Sequence, residues 1–419
     1  MISSPDFYTA RGIGVLSDGR ISRPVAIELF LANQEVVLYC IPTEGNPLVF
    51  LDSKQLNLTG KTDSGEVIRA DNLLCRLITN SYIELISNEK AYVGDYYDSK
   101  KNADRIDFYI SNLFDLNLSF SFHGYTIEIK SDRESIKERI SLYWKLPQVG
   151  SVITVTKPND PIEEYLKIIN YVLWIISLAT GRHLSFGIQH IFNEERNYKA
   201  IHNNFSSYNF IREIIPSNSI KHLLSKGLVI LNGYDKSNLV DFRTVLEYLN
   251  ETDHGYLDDR ILRIVQCWEI VSSTWNNRKQ NLSPEVAELK NSLKQTLKEW
   301  HKKFPEFDKD GLVGDRLHKG LEWDKVINLL KGTLIKFNID NSAVKIDFPK
   351  LIKLRNSVAH KGRFGDEDAL DDLIKAQFGI RLVLLRILGY DGQILNYLED
   401  NRFVMMQHFL IDQEDSLQI

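Results

Sequence analysis

Cysteine is scarce in this 419-residue sequence, which holds only Cys40, Cys75 and Cys267. Odd in number and far apart, they fit neither a disulfide framework nor a C-x-x-C metal site, and so point to a reducing cytoplasm. A dominant charge is also missing. Lys plus Arg number 51 against 56 for Asp plus Glu, a formal net charge of −5. Strong global attraction to nucleic acid or to an acidic membrane is therefore not encoded, which leaves room for a local basic groove. Long hydrophobic runs are absent too. The greasiest, Ile168–Thr180, is interrupted by Asn170 and falls well short of the roughly 20 residues of a membrane-spanning helix. It reads as a buried core helix. The polar opening Met1–Arg11, with Pro5, lacks the apolar stretch of an export signal. What is present is an ordinary globular balance, 43% hydrophobic and 26% charged, enough to bury a full core. At roughly 150 residues per domain the length suggests two or three domains.

The first third reads as strands. Val25–Leu31, Val36–Ile41, Leu48–Leu51, Leu73–Ile78, Tyr82–Ile86, Ile106–Ile110, Tyr125–Ile129 and Val152–Val155 are short runs of Val, Ile, Leu and aromatics, separated by Gly, Pro, Asn and Asp. Strands without long helices between them predict an antiparallel sandwich or barrel-like sheet rather than a doubly wound nucleotide fold. After Lys157 the character changes. Asp160 is the expected cap of a helix that starts at Pro161 and runs toward Gly181. The aromatic-rich stretch Phe186–Tyr234 carries no clear period and is left unassigned. From Ser237 to the end the pattern is helical, in the segments Asn238–Leu249, Leu257–Trp275, Ser283–Phe304, Leu321–Phe337, Pro349–His360 and Ala369–Leu388. The expected fold class is α+β multidomain, with an antiparallel β-rich N-terminal domain over residues 1–157. A mixed, partly helical connecting region (158–236) and an all-α helical bundle (237–419) follow.

Several familiar motifs fail. Gly12-Ile13-Gly14 contains G-x-G, but no helix follows, and a turn between strands explains it better than a dinucleotide loop. No G-x-x-x-x-G-K-[ST] run and no G-x-S-x-G elbow occurs. His183 with His190, or His301 with His318, lacks the close helical spacing of a zinc site, so neither metal nor cofactor is expected.

One segment stands out, Asp347-Phe348-Pro349-Lys350-Leu351-Ile352-Lys353-Leu354-Arg355-Asn356-Ser357-Val358-Ala359-His360-Lys361-Gly362. Asp347 and Pro349 make a helix start and Gly362 a stop. At about 100° per residue, Leu351, Ile352, Leu354, Val358 and Ala359 form an apolar stripe, with Arg355 near its centre. Asn356 and His360, four apart, are neighbours on its flank. An arginine there is costly unless its guanidinium meets an acid, a phosphate or an opening. Two readings are open. Arg355 is either a structural arginine snorkelling to a carboxylate, with His360 an ordinary histidine of the last turn, or part of a phosphate-handling site.

The run Leu354-Arg355-Asn356-Ser357-Val358-Ala359-His360-Lys361-Gly362 resembles the signature helix of the HEPN superfamily, an all-helical domain with an R-x4–6-H motif found in many metal-independent ribonucleases. Leu257–Glu269 is similar to that family's leading long helix. Arg381–Gly392 is similar to the helix that follows the motif in ApeA-like members, which also carry a β-rich domain ahead of the HEPN domain. The resemblance implies catalytic roles for Arg355, Asn356 and His360. It implies an endoribonuclease of a toxin or anti-phage, abortive-infection type that acts in the cytoplasm, away from membranes. The implied partners are an RNA substrate (transfer RNA being one candidate), a second copy of the chain and a phage-derived trigger, with the β-rich domain as sensor or substrate-positioning element. No cofactor is implied.

The chemistry suits these residue types. RNA carries its own nucleophile, and histidine side chains exchange protons near neutrality, so His360 suits a base or an acid. Arg355 offers a permanent cation with a fork shaped for phosphate oxygens. Asn356 can orient the phosphate or the 2′-hydroxyl. One histidine does not easily serve as both base and acid, whereas two motif helices facing across a two-fold axis supply a pair. The apolar Phe378–Leu388 segment, with Arg381 and Arg386, is a candidate for that contact or for the monomer core. Glu269, at the edge of the stripe formed by Ile261, Val265 and Trp268, is placed to support Arg355 as its carboxylate partner. Competing functions are a non-catalytic RNA- or protein-binding module and a regulatory partner in which the domain drives dimerisation.

Overall fold

The alternation of apolar and polar residues that marks the first third of the chain generates a single antiparallel sheet. The computed structural model describes the chain outside residues 1–8, 33–34, 51–54, 80, 88–89, 95–100, 112, 114–115, 132–148, 194–196, 203–213, 254–255, 277–283, 305–325, 362–368, 400 and 412–419. Two compact units result, Met1–Leu228 and Val229–Ile419. The first is β-rich and the second helical, an α+β chain.

In the first unit the strands are β1 (Thr9–Ser17), β2 (Ser22–Ala32), β3 (Glu35–Pro42), β4 (Leu56–Thr62), β5 (Val67–Ile78), β6 (Ile83–Ser87) and β7 (Lys90–Val93). They continue as β8 (Asn102–Ser111), β9 (Leu118–Phe122), β10 (Tyr125–Ser131), β11 (Val149–Pro161), β12 (Phe186–Phe192) and β13 (Asn197–His202). The order in the 13-stranded sheet is β4-β1-β2-β3-β6-β5-β7-β13-β12-β8-β11-β10-β9, and β4 also pairs with β5. The first six strands thereby close into a barrel. Leu16, Val25, Ile27, Leu38, Leu58, Ile68 and Leu85 fill it, apolar side chains that alternate with outward ones, which are polar in β4 (Asn57, Thr59, Lys61) but apolar at Ile13 and Val15 of β1.

Barrel closure corrects the reading of Gly12 and Gly14. Both lie inside β1 against β4 rather than in a turn, with Gly14 opposite Gly60. A Cβ at Gly12 would sit 2.0 Å from the Lys61 carbonyl oxygen, and one at Gly14 2.6 Å from that of Thr59. Only glycine lets the two backbones approach so closely. Leu48 is likewise no strand residue. Pro47–Phe50 forms a 3-10 turn that buries Pro47 and Phe50.

Helix α1 (Ile162–Thr180) is the expected core helix and ends at Gly181 with φ 63°, a left-handed cap that glycine adopts without strain. Asp160 does not cap it. Pro161 holds that position without a side-chain hydrogen bond, while Asp160 stays in β11, accepts from the Tyr125 hydroxyl and pairs with Lys157 Nζ at 3.1 Å. The unassigned stretch supplies β12 and β13 and then α2 (Ile220–Gly233).

The second unit contains α3 (Lys236–Glu251), α4 (Leu257–Trp275), α5 (Pro284–Lys303), α6 (326–336), α7 (Asn341–Val344), α8 (Phe348–Lys361) and α9 (Ala369–Ile387). The start of the expected Leu321–Phe337 helix and the stop at Gly362 lie outside the described residues. On α4, Ile261, Ile264, Val265, Trp268, Val271 and Ser272 are buried at helical spacing. Trp268 is the centre of this core. Its ring meets Phe348 of α8 edge-on at 5.0 Å, and its indole N–H donates to the Ala376 carbonyl of α9 at 3.2 Å. The unit is not wholly helical, because Gln393–Asn396 (β14) and Arg402–Met405 (β15) form an antiparallel hairpin. The stretch from Phe378 to Leu388 is buried within its own chain apart from half-buried Arg386, so this segment does not offer the apolar contact face considered for a second copy.

Candidate functional site

Helix α8 carries the site, and Asp347 starts it. The Asp347 carboxylate accepts from the Lys350 N–H at 2.9 Å while its carbonyl accepts from the Leu351 N–H at 2.9 Å, an N-cap followed by Phe348 and Pro349 as first helical residues. Asp347→Ala is expected to lower the stability of this unit by about 1 kcal/mol, read as a shift in the denaturant midpoint. Leu351, Ile352, Leu354 and Val358 anchor the helix through their burial. Ala359, expected in the same stripe, is exposed. Lys350 Nζ lies 2.7 Å from Asp372 Oδ2 and ties the outer edge of α8 to α9.

Arg355 sits at the border of the buried stripe rather than at its centre, with its side chain 37% exposed. Its Nη2 donates to Glu269 Oε1 of α4 at 2.8 Å, and its Nη1 donates to Asn356 Oδ1 at 3.1 Å. The structure thus brings together three of the four residues singled out in the sequence. Glu269 and Asn356 hold one edge of the planar guanidinium, and its other N–H groups have no hydrogen-bond partner among the described residues. Asn356 gives its carbonyl to Arg355 and keeps its amide N–H groups for another acceptor.

His360 is exposed in the last turn and has no hydrogen-bond or ion-pair partner among the described residues. Five residues along the helix correspond to a rise of about 7.5 Å and a rotation of about 140° from Arg355, with Asn356 between them. The three polar groups therefore fan across the solvent side instead of converging on one point. Lys353, which the sequence reading leaves aside, is exposed on the same side. Its place three residues before Asn356 and seven before His360 makes a helical row, and that spacing is the signal by which it could have been found.

Among the described residues no group of three or more His, Cys, Asp or Glu side chains could hold a metal ion, and no helix is long and apolar enough to cross a membrane. Cys40 and Cys267 are buried and free. Burial pushes the Cys40 thiol up to about 12 and the Cys267 thiol higher, which keeps both out of nucleophilic chemistry. No family model, curated protein or solved structure matches the chain.

Proposed function

We propose that the chain is a metal-independent endoribonuclease of the HEPN type, with Arg355, Asn356 and His360 as its catalytic residues. The observation that carries this reading is the pairing of a half-exposed Arg355, held at one edge by Glu269 and Asn356, with an exposed imidazole on the same helix. In the proposed reaction a base removes the 2′-hydroxyl proton and the 2′-oxygen forms a bond to phosphorus. The P–O5′ bond breaks, and an acid delivers a proton to the departing 5′-oxygen. The products are a 2′,3′-cyclic phosphate and a 5′-hydroxyl. Arg355 stabilises the charge on the phosphate oxygens, and Asn356 orients them. The fan-like spread of the polar groups suits a site completed by the motif helix of a second copy, which supplies the second imidazole. In this reading the chain is a cytoplasmic homodimer of an anti-phage or toxin system, residues 237–419 are the HEPN domain, and residues 1–157, joined to it through 158–236, sense a phage-derived trigger or position the RNA.

Incubation of the purified protein with total or transfer RNA in EDTA tests the reading. Cyclic-phosphate ends on the products support it, and intact RNA at enzyme concentrations that bind it overturns it. A second reading, a non-catalytic RNA-binding module, draws on the absence of an orienting partner for His360 among the described residues; it predicts binding without new ends.

Glu269→Gln separates support from folding. The Arg355–Glu269 pair is more than a third exposed on both sides, so the substitution is expected to change stability by less than about 1 kcal/mol. Cleavage is expected to fall roughly tenfold, because a freed guanidinium loses its fixed orientation. Parallel melting curves and initial rates read the two effects.

A further inference from the structure

Helix α5 (Pro284–Lys303) takes no part in the site described above, and its composition is unlike that of the chain as a whole. Its apolar residues Leu293, Leu297 and Trp300, with Phe304 just beyond it, recur at spacings of four, three and four, a continuous seam along one side of a helix. The aliphatic members Leu293 and Leu297 are half-buried. The aromatic members are not. Trp300 is 49% and Phe304 52% exposed, and the two rings lie against each other at 5.4 Å.

The borders of this seam restrict what can cover it. Helical geometry puts Lys294 and His301 along one border and Lys303 along the other. Lys298 and Lys302 continue a row from Lys294 at four-residue spacing that rises about 6 Å and turns about 40° per step, so that it winds from the border of the seam toward the opposite face, and all of these side chains are exposed. Glu299, the one carboxylate between Leu293 and Phe304, lies about as far round the helix from the seam as Lys298, on the opposite flank. A second copy of α5 docked on the seam, parallel or antiparallel, would bring basic border against basic border, so self-pairing is opposed by like charge. The complement is a polyanion that also offers flat apolar faces. Because the aliphatic part of the seam is half-buried and the rings form its exposed end, the surface suits stacked bases better than acyl chains.

We propose that α5 is a docking surface for single-stranded RNA, with the lysine row tracking the phosphates and Trp300 and Phe304 stacking bases. The choice of RNA among polyanions rests on the reaction proposed above, and the test is chosen to fail independently of it. A fluorescein-labelled single-stranded 2′-O-methyl RNA, which has no free 2′-hydroxyl and is not cut, is titrated into the full chain and followed by anisotropy. Charge reversal in the double variant K294E/K298E is expected to weaken binding at least about tenfold and to flatten its salt dependence. Trp300→Ala is expected to weaken it about tenfold with the salt dependence kept, and Trp300→Phe to restore most of the affinity. Unchanged affinity in both variants, no binding by the wild-type chain, or capture of phosphatidylglycerol vesicles in place of RNA each overturns the proposal. Binding through α5 with no cutting of ordinary RNA leaves this surface standing and removes the nuclease. Cutting that persists with binding indifferent to α5 does the reverse.

Discussion

Replacing His360 by alanine is expected to lower RNA cleavage by about 10²–10⁴-fold, the usual contribution of a positioned proton-transfer group. RNA binding should stay within about twofold, because the imidazole is exposed and contributes little as a phosphate ligand beside Arg355. The fold should be untouched, since no hydrogen bond or ion pair among the described residues depends on this ring. Arg355→Ala should cost a similar factor in rate and also weaken binding. Arg355→Lys should not rescue it, for an ammonium cannot keep two directional contacts, to Glu269 Oε1 and Asn356 Oδ1, and still present a planar edge to phosphate. Quantifying cyclic-phosphate ends under single-turnover conditions measures chemistry apart from product release. A His360 variant that cuts at the wild-type rate removes this residue from the mechanism.

The largest effect on stability is expected at Arg381 and Asp253. Arg381 lies on the buried length of α9 with its side chain 5% exposed, and its Nη2 donates to Asp253 Oδ2 at 3.0 Å. Its Nη1 donates to the Tyr397 hydroxyl at 3.2 Å. Gln377 fills the rest of the cluster, giving its amide to the Thr252 carbonyl at 3.0 Å. Burial alone would lower the pKa of this guanidinium, yet Tyr397 and Asp253 together raise it, so the charge is held rather than expelled. Asp253→Ala leaves that cation buried without its counter-charge and is expected to cost about 3–5 kcal/mol, a fall in melting midpoint of about 10 °C for a unit of this size. The double variant with Arg381→Met should recover most of the loss, because the uncompensated charge disappears along with its partner. Calorimetry of the two singles and the double completes the cycle. An additive double would show that the two groups act separately.

Strands rich in β-branched residues announce themselves, as Val36–Ile41 does within β3. Others are hidden by the very features that let them fit. β1 reads as a turn because barrel closure demands Gly12 and Gly14 where a strand ordinarily carries side chains. β12 escapes because a bulge between Phe186 and Ile188 shifts its alternation and Gln189 is fully buried. Asp160 looks like a cap in one dimension and serves Tyr125 and Lys157 in three. Helix α4, by contrast, keeps its period and runs over Leu257–Trp275 in the sequence and in the structure alike. The same regularity places Glu269 within reach of Arg355, since both positions follow from spacing on two regular helices. Exposure did not follow so simply. The α8 stripe puts Ala359 in the core and Arg355 at its middle, whereas the packing partners of α8 set the true border one flank away.

The barrel has a consequence for how the protein meets other chains. A sheet with two raw margins can recruit foreign strands at either, but here the β4 margin is consumed by its pairing with β5. Among the described residues the sheet therefore ends at one place, β9, a segment of only 5 residues. So short a margin gives a templating chain little backbone to copy, which within this sheet, among the described residues, limits unwanted strand recruitment to Leu118–Phe122.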